Sequence, residues 1–201
     1  MPYVPIAQDT DWQRSDSIDV RESALLVVDI LGGSEGVIPE LQEMADNAAR
    51  IVAAAHDARM PVLFACDAHI EGLDHELPLW GNHGIAGTEA AKPLATLGVE
   101  EGDFVIPKRR YDSFFETDLD LTLRELGVRT LIVIGCDTNI CVQQTLAGAY
   151  YRTYRTIVAA DATATFLVGT QEAGLEYFTR CFDTRVVDTE TVLGYLEGAG
   201  A

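Results

Sequence analysis

Between Thr130 and Asp161 the chain reads TLIVIGCDTNICVQQTLAGAYYRTYRTIVAAD, and this stretch limits the possible folds more than any other. Thr130 to Ile134 is a short apolar run, mostly β-branched, of the kind that forms a strand covered on both faces. Gly135 frees the backbone to turn, and Cys136-Asp137-Thr138-Asn139 is polar and turn-prone. From Ile140 the spacing of Ile140, Cys141, Thr145, Leu146 and Ala149 predicts a helix, and Thr156 to Ala160 predicts a further strand. Cys141 then falls in the first helical turn. Free N–H groups and the helix dipole there favour a nucleophilic thiolate. The competing reading is a small buried thiol that only packs.

The rest of the chain repeats this alternation. Ser23 to Asp29, Pro61 to Cys66, Phe104 to Pro107 and Thr184 to Val187 read as strands. Ile38 to Arg59, Asp118 to Leu126, Thr170 to Thr179 and Val192 to Leu196 read as helices, the first with Leu41, Met44, Ala48, Ile51, Val52 and Ala55 on one face. Strands that alternate with helices predict an α/β three-layer sandwich. It has a doubly wound, mostly parallel sheet of about six strands with helices on both faces. Residues 1–22 carry no clear period and are expected to form an N-terminal arm, over this chain's surface or a neighbouring subunit's. Residues 23–201 form one domain, an ordinary size for a single core. There is no GxGxxG, no Walker A and no repeat.

Several side chains with chemical potential sit where strands end. Asp29 follows SALLVV, Asp67-Ala68-His69 follows PVLFAC, and Lys108 follows FVIP. In parallel α/β sheets the carboxyl ends of strands are where functional groups gather. Of the four histidines, His69, His75 and His83 crowd into fifteen residues around Trp80. A carboxylate with neutral imidazoles suits a divalent transition metal, and Asp-x-His lets both side chains reach one ion. Lys108 is one of only two lysines, and beside a carboxylate and a thiol it could stabilise an anionic intermediate. A net charge of -18 argues against nucleic acid or an anionic membrane as partner. The four cysteines form no CxxC, which fits reduced thiols in a cytoplasm. No apolar run reaches about 18 residues, so no membrane span is expected.

Together Asp29, Lys108 and Cys141 form a combination that resembles the isochorismatase-like cysteine hydrolases. The resemblance runs from about Ala24 to Val187. ALLVVD carries the family's acid, KRRYDSFFETDL its lysine and GCDTNICVQQT its nucleophile. It implies a cis peptide between Cys136 and Asp137, an oxyanion hole from the N–H groups of Asp137 and Cys141, and substrate contacts from Trp80 and Tyr111. The chain departs from the family after the acid, where ILGGSEG replaces the usual Gln and aromatic residue. The loop after Asp67 is similar to that of nicotinamidases. That likeness implies one zinc, iron or manganese ion held by Asp67, His69, His75 and His83, with Glu76 as the alternative to His75.

The implied activity is hydrolysis of the C–N bond of a small amide through a thioester, in a homo-oligomer (dimer or tetramer), with a nicotinamidase-like amidohydrolase set first. The alternatives are a metal-free hydrolase of carbamoyl or ureido compounds, an isochorismatase-type enzyme, and a redox thiol protein that cycles Cys136 and Cys141.

Overall fold

Six apolar runs become six strands in the computed structural model, which describes residues 9–34 and 39–197. They are β1 (Ser23–Val28), β2 (Val62–Asp67), β3 (Phe104–Lys108), β4 (Thr130–Cys136), β5 (Arg155–Ala164) and β6 (Arg185–Val187). They form a single sheet in the order β3-β2-β1-β4-β5-β6. Every neighbouring pair is parallel, so the sheet is wholly rather than mostly parallel. All six residues of β1 and all seven of β4 are buried, the expected fate of central strands covered on both faces.

Among the described residues seven α-helices connect or flank the strands: α1 (Asp11–Arg14), α2 (Pro39–Asp57), α3 (Leu77–Trp80), α4 (Leu119–Glu125), α5 (Gln143–Tyr151), α6 (Gln171–Phe182) and α7 (Thr189–Glu197). Alternate strand residues feed two cores. Leu25 and Val27 pack on one face with Ile51 and Val52 of α2 and Val192 and Leu196 of α7. Leu26 and Val28 pack on the other with Leu123, Leu146 and Phe178 of α4, α5 and α6. Each such side chain contributes about 1.5–3 kcal/mol on burial.

The expected helix after β4 is divided. Thr138–Val142 forms a π-helical turn before α5 begins at Gln143, so Cys141 sits in that turn and not in the first turn of α5. Of the expected arm, Met1 to Gln8 lie outside the described residues, as do the expected helix start at Ile38 and residues 198–201 of the expected domain. Residues 9–22 lie over the chain's own β5–β6 side. Trp12 Nε1 donates to the Thr156 carbonyl at 3.3 Å, and Gln13 Nε2 donates to the Thr179 carbonyl at 2.8 Å. The Arg185 guanidinium packs 4.0 Å from the Trp12 ring.

The strand order reverses between β1 and β4, so a crevice opens at the carboxyl ends of these two strands. Gly135 makes their approach possible. Its φ is 125°, and a Cβ there would fall 1.9 Å from the Val28 carbonyl oxygen. Gly135→Ala is therefore expected to lose at least about 2 kcal/mol of stability in urea unfolding. An unchanged midpoint would mean that β1 and β4 are not held this close.

Candidate active site

Four strand ends supply the crevice. Asp29, just past β1, has φ 51°, a left-handed conformation that Asp tolerates better than most residues. The Asp67 N–H donates to Asp29 Oδ1 at 2.9 Å, which fixes the orientation of that carboxylate. Asp67 ends β2 and lies opposite Lys108 of β3 in the parallel register. The Lys108 side chain therefore lies over β2 towards β1. Its Nζ donates to Asp67 Oδ1 at 2.6 Å, sits 2.6 Å from Asp29 Oδ2, and reaches Cys141 Sγ at 3.8 Å. All four residues are buried. Asp29 Oδ2 is thus held in a buried ion pair with the Lys108 ammonium, and the Asp29 carboxylate also lies within reach of the Cys141 thiol.

The charges in this cluster do not balance, since two carboxylates share one ammonium. Burial raises the Asp29 carboxyl to about 6, Asp67 adds to the rise, and Lys108 opposes it. Burial also pushes on Asp67, but Lys108 and His69 outweigh it and bring Asp67 down to about 2. For Lys108, burial alone would lower the pKa, and the surrounding Asp29, Cys141 and Asp67 raise it well above its ordinary value. The Cys141 thiol is pushed well above its ordinary value by burial, with Lys108 opposing. Loss of water at Cys141 outweighs what the helical turn and the nearby ammonium give back.

The peptide between Cys136 and Asp137 is cis. The turn it belongs to carries Cys141 and presents the backbone of Asp137 beside it. The carboxylate of Asp137 accepts from the N–H groups of Asn139 and Phe166 at 2.8 Å and of Leu167 at 3.0 Å, and from Thr165 Oγ1 at 2.8 Å. It ties the segment after β5 to the nucleophile turn. Phe166 and Leu167 thereby become part of the rim of a pocket of about 370 Å³ that Asp29, Trp80, Tyr111 and Cys141 also line. Trp80 Nε1 donates to Tyr111 Oη at 2.8 Å, so these two residues close one side together. A larger cleft of about 990 Å³ lies at the opposite ends of the strands, beside Thr130 and Arg155, and is lined by no cysteine.

Beyond Asp67 the loop residues form a second cluster. His69 Nε2 lies 3.6 Å from Asp67 Oδ1 and 3.7 Å from Glu76 Oε1. His83 Nε2 lies 3.8 Å from Asp67 Oδ2 and 3.6 Å from Glu76 Oε1. Imidazole and carboxylate atoms thus alternate at spacings close to the edge of a coordination polyhedron with bonds of about 2.1 Å. His69 is fully buried, and among the described residues neither ring nitrogen has a hydrogen-bond partner, Nδ1 lying 3.6 Å from Asp74 Oδ2. An orphaned buried imidazole facing two carboxylates and a second imidazole fits a divalent cation. His75 is corrected: it is exposed on the loop, whereas its neighbour Glu76 is buried and faces the histidines. An irregular loop has no period from which to tell which of two adjacent side chains points inward.

Sequence reasoning also passed over Phe166 and Leu167. The available signal was an apolar Phe166-Leu167-Val168 run between Thr165 and Gly169, placed where a strand of a parallel sheet ends.

A buried Asp, Lys and Cys at the switch point of a parallel α/β sheet define the cysteine-hydrolase class of site. The chain matches the Isochorismatase domain over residues 23–191 and belongs to the isochorismatase family. It is 31% identical over 168 residues to an uncharacterised isochorismatase family protein, YwoC, of Bacillus subtilis, covering 80% of this chain and 87% of that one. It is 33% identical over 177 residues to the ureidoacrylate amidohydrolase RutB of Variovorax paradoxus, covering 73% of this chain and 70% of the relative. Among solved structures, N-carbamoylsarcosine amidase from Thermoplasma acidophilum superposes with a TM-score of 0.79 at 31% identity, over 84% of this chain and 97% of that one. Nicotinamidase PncA from Bacillus subtilis has a TM-score of 0.76 at 25% identity, over 83% and 99%. Within the family the chain thus stands with amidohydrolases, which cut C–N bonds other than peptide bonds. The order set from sequence is reversed, because carbamoyl and ureido relatives match better than the nicotinamidase. No helix among the described residues is long and apolar enough to cross a membrane.

The second cluster is tested directly by metal content. Zinc or manganese titrated into the purified chain is expected to bind near one ion per chain. Glu76→Gln and His69→Ala should weaken binding roughly 10- to 100-fold or more, and His75→Ala should not. Equal loss in His75→Ala would return His75 to the site.

Proposed function

We propose that the chain hydrolyses the terminal C–N bond of a carbamoyl or ureido group, using Cys141 as nucleophile, Asp29 as base and Lys108 as the charge that lets them coexist. The single observation that carries this is the Lys108 ammonium, buried within reach of Asp29, Asp67 and Cys141 at once. The ureidoacrylate and carbamoylsarcosine relatives support the choice of substrate class.

As the thiol attacks the carbonyl carbon, Asp29 takes its proton and the Sγ–C bond forms. The carbonyl oxygen becomes an oxyanion that the N–H groups of Asp137 and Cys141 receive, each donor worth about 3 kcal/mol. Asp29 returns the proton to the nitrogen, the C–N bond breaks and ammonia leaves. Water deprotonated by Asp29 then opens the S-carbamoyl thioester, regenerating the thiol and releasing a carbamate that loses carbon dioxide. Trp80 and Tyr111 would hold the rest of the substrate against the pocket wall.

A nicotinamidase-type substrate is the second reading, and the Asp67, His69, Glu76 and His83 cluster favours it. A divalent ion held there would supply a Lewis-acid contact for a carbonyl oxygen or a ring nitrogen.

Ammonia release from ureas and carboxamides should vanish in Cys141→Ala while the folded signal is retained. Full activity in that variant would remove the covalent mechanism. Lys108→Met should slow acylation by orders of magnitude and move alkylation of Cys141 to higher pH, with little rescue by Arg, whose planar fork does not replace a compact ammonium. An unshifted alkylation profile would place the ammonium outside the catalytic unit.

The pH profile tests the base. Burial holds Asp29 at about 6, and only its ionised form can take the thiol proton. kcat/KM should therefore be constant above that value and drop as pH falls through it. An acidic limb near the ordinary carboxylate pKa of about 4 would assign the base elsewhere.

A further inference from the structure

The relatives' names give the reacting group a class but leave open the rest of the molecule, and the pocket wall speaks to that. Resting on the thiol reading above, we propose that the substrate's portion beyond the reacting amide is uncharged and apolar, selected by the wall that Phe166 and Leu167 complete. Ureidoacrylate and N-carbamoylsarcosine each end in a carboxylate. A pocket for such an acid must hold a cation for it, because a buried unpaired carboxylate is strongly disfavoured.

This pocket offers the opposite surroundings. Its apolar lining includes Leu31, Leu41, Trp80, Ile140, Phe166 and Leu167. Neither Lys nor Arg is among the described residues that line it. The Lys108 ammonium beneath is already engaged by Asp29 and Asp67. Of the basic residues nearest in sequence, Arg109 is bound to Asp74 through two nitrogens, and Arg110 lies 3.5 Å from the same carboxylate. His83 faces Glu76 and Asp67. Segments 1–8, 35–38 and 198–201 contain no Lys, Arg or His, so no cationic side chain can come from them. Asp29, Asp67, Glu76 and Asp137 line the same pocket, and an ion held by Asp67, His69, Glu76 and His83 would already be neutralised by the two carboxylates that hold it, leaving no spare positive charge for an anionic tail.

The rim is a held feature. Asp137 binds the Phe166 and Leu167 N–H groups, while Asn139 Nδ2 donates to the Thr165 hydroxyl at 3.2 Å and to the carbonyls of Val168 and Thr170 at 2.5 and 3.2 Å. Two partly exposed apolar side chains are thus fixed beside the nucleophile. Asp137 is the positioning residue for that wall, acting through the loop rather than touching the reacting atoms with its carboxylate.

The test compares butylurea with N-carbamoyl-γ-aminobutyrate, which differ in a terminal methyl against a carboxylate. Two readouts are taken on the full chain: ammonia release, and protection of Cys141 from iodoacetamide followed by peptide mass spectrometry. The expected result is a preference for butylurea of roughly 100-fold in kcat/KM and in the concentration that protects. Leu167→Arg should narrow or reverse that preference by supplying a guanidinium at the rim. Equal or better use of the carboxylate by the unmodified chain overturns the inference and leaves the thiol mechanism standing. Protection by butylurea without ammonia release supports the apolar wall and counts against the ureido reading. Protection by the carboxylated compound alone, or by neither, overturns the inference.

Discussion

Everything in the crevice depends on one buried ammonium. Taking the Lys108 charge out of water costs several kcal/mol, and only the flanking carboxylates make the cost bearable. The two are unequal partners. Asp67 accepts a hydrogen bond from Lys108 and is driven to about 2, so it remains ionised and anchors the cation. Asp29 pairs with the same ammonium through Oδ2 at 2.6 Å, yet burial and the neighbouring Asp67 raise it to about 6. Environments that push two like groups apart in pKa suit them to different work, in the proposed mechanism an anchor and a proton acceptor. The assignment rests on sheet register, because Val28 aligns with Ala65 and Asp67 with Lys108. A slip of one residue in either pairing would turn a charged side chain to the other face and dissolve the cluster.

Much of this was legible in the sequence, for reasons that explain the gaps. Central strands are covered on both faces, so they appear as unbroken apolar runs, and the six strands were readable from Ser23, Pro61, Phe104, Thr130, Thr156 and Thr184 onward. Asp29 and Lys108 stood out because a charge directly after such a run has few structural duties. Strand order is a long-range property with no local signature, so the path of Lys108 over β2 to β1 was not readable. How strongly burial opposes the turn and the ammonium at Cys141 was not readable either, since burial is known only once the pocket is built. His75 and Glu76 were interchangeable on paper because a loop imposes no facing pattern.

Asp137 joins chemistry and selection in one residue. Its backbone belongs to the turn that carries Cys141, and its carboxylate is filled by four donors from the turn itself and the segment after β5. A carboxylate so occupied has little left to give a substrate, and its role is to keep two chain segments at fixed separation. A shift of the nucleophile turn must therefore shift Phe166 and Leu167 with it. In the proposed mechanism this keeps the apolar wall and the attacking Sγ at fixed separation, which is the condition for holding a bound amide near attack distance. Acidity in this chain thus does unlike things at close range: Asp67 holds the Lys108 cation, Asp137 buckles the rim to the Cys141 turn, and Asp29, in the proposed mechanism, handles the proton.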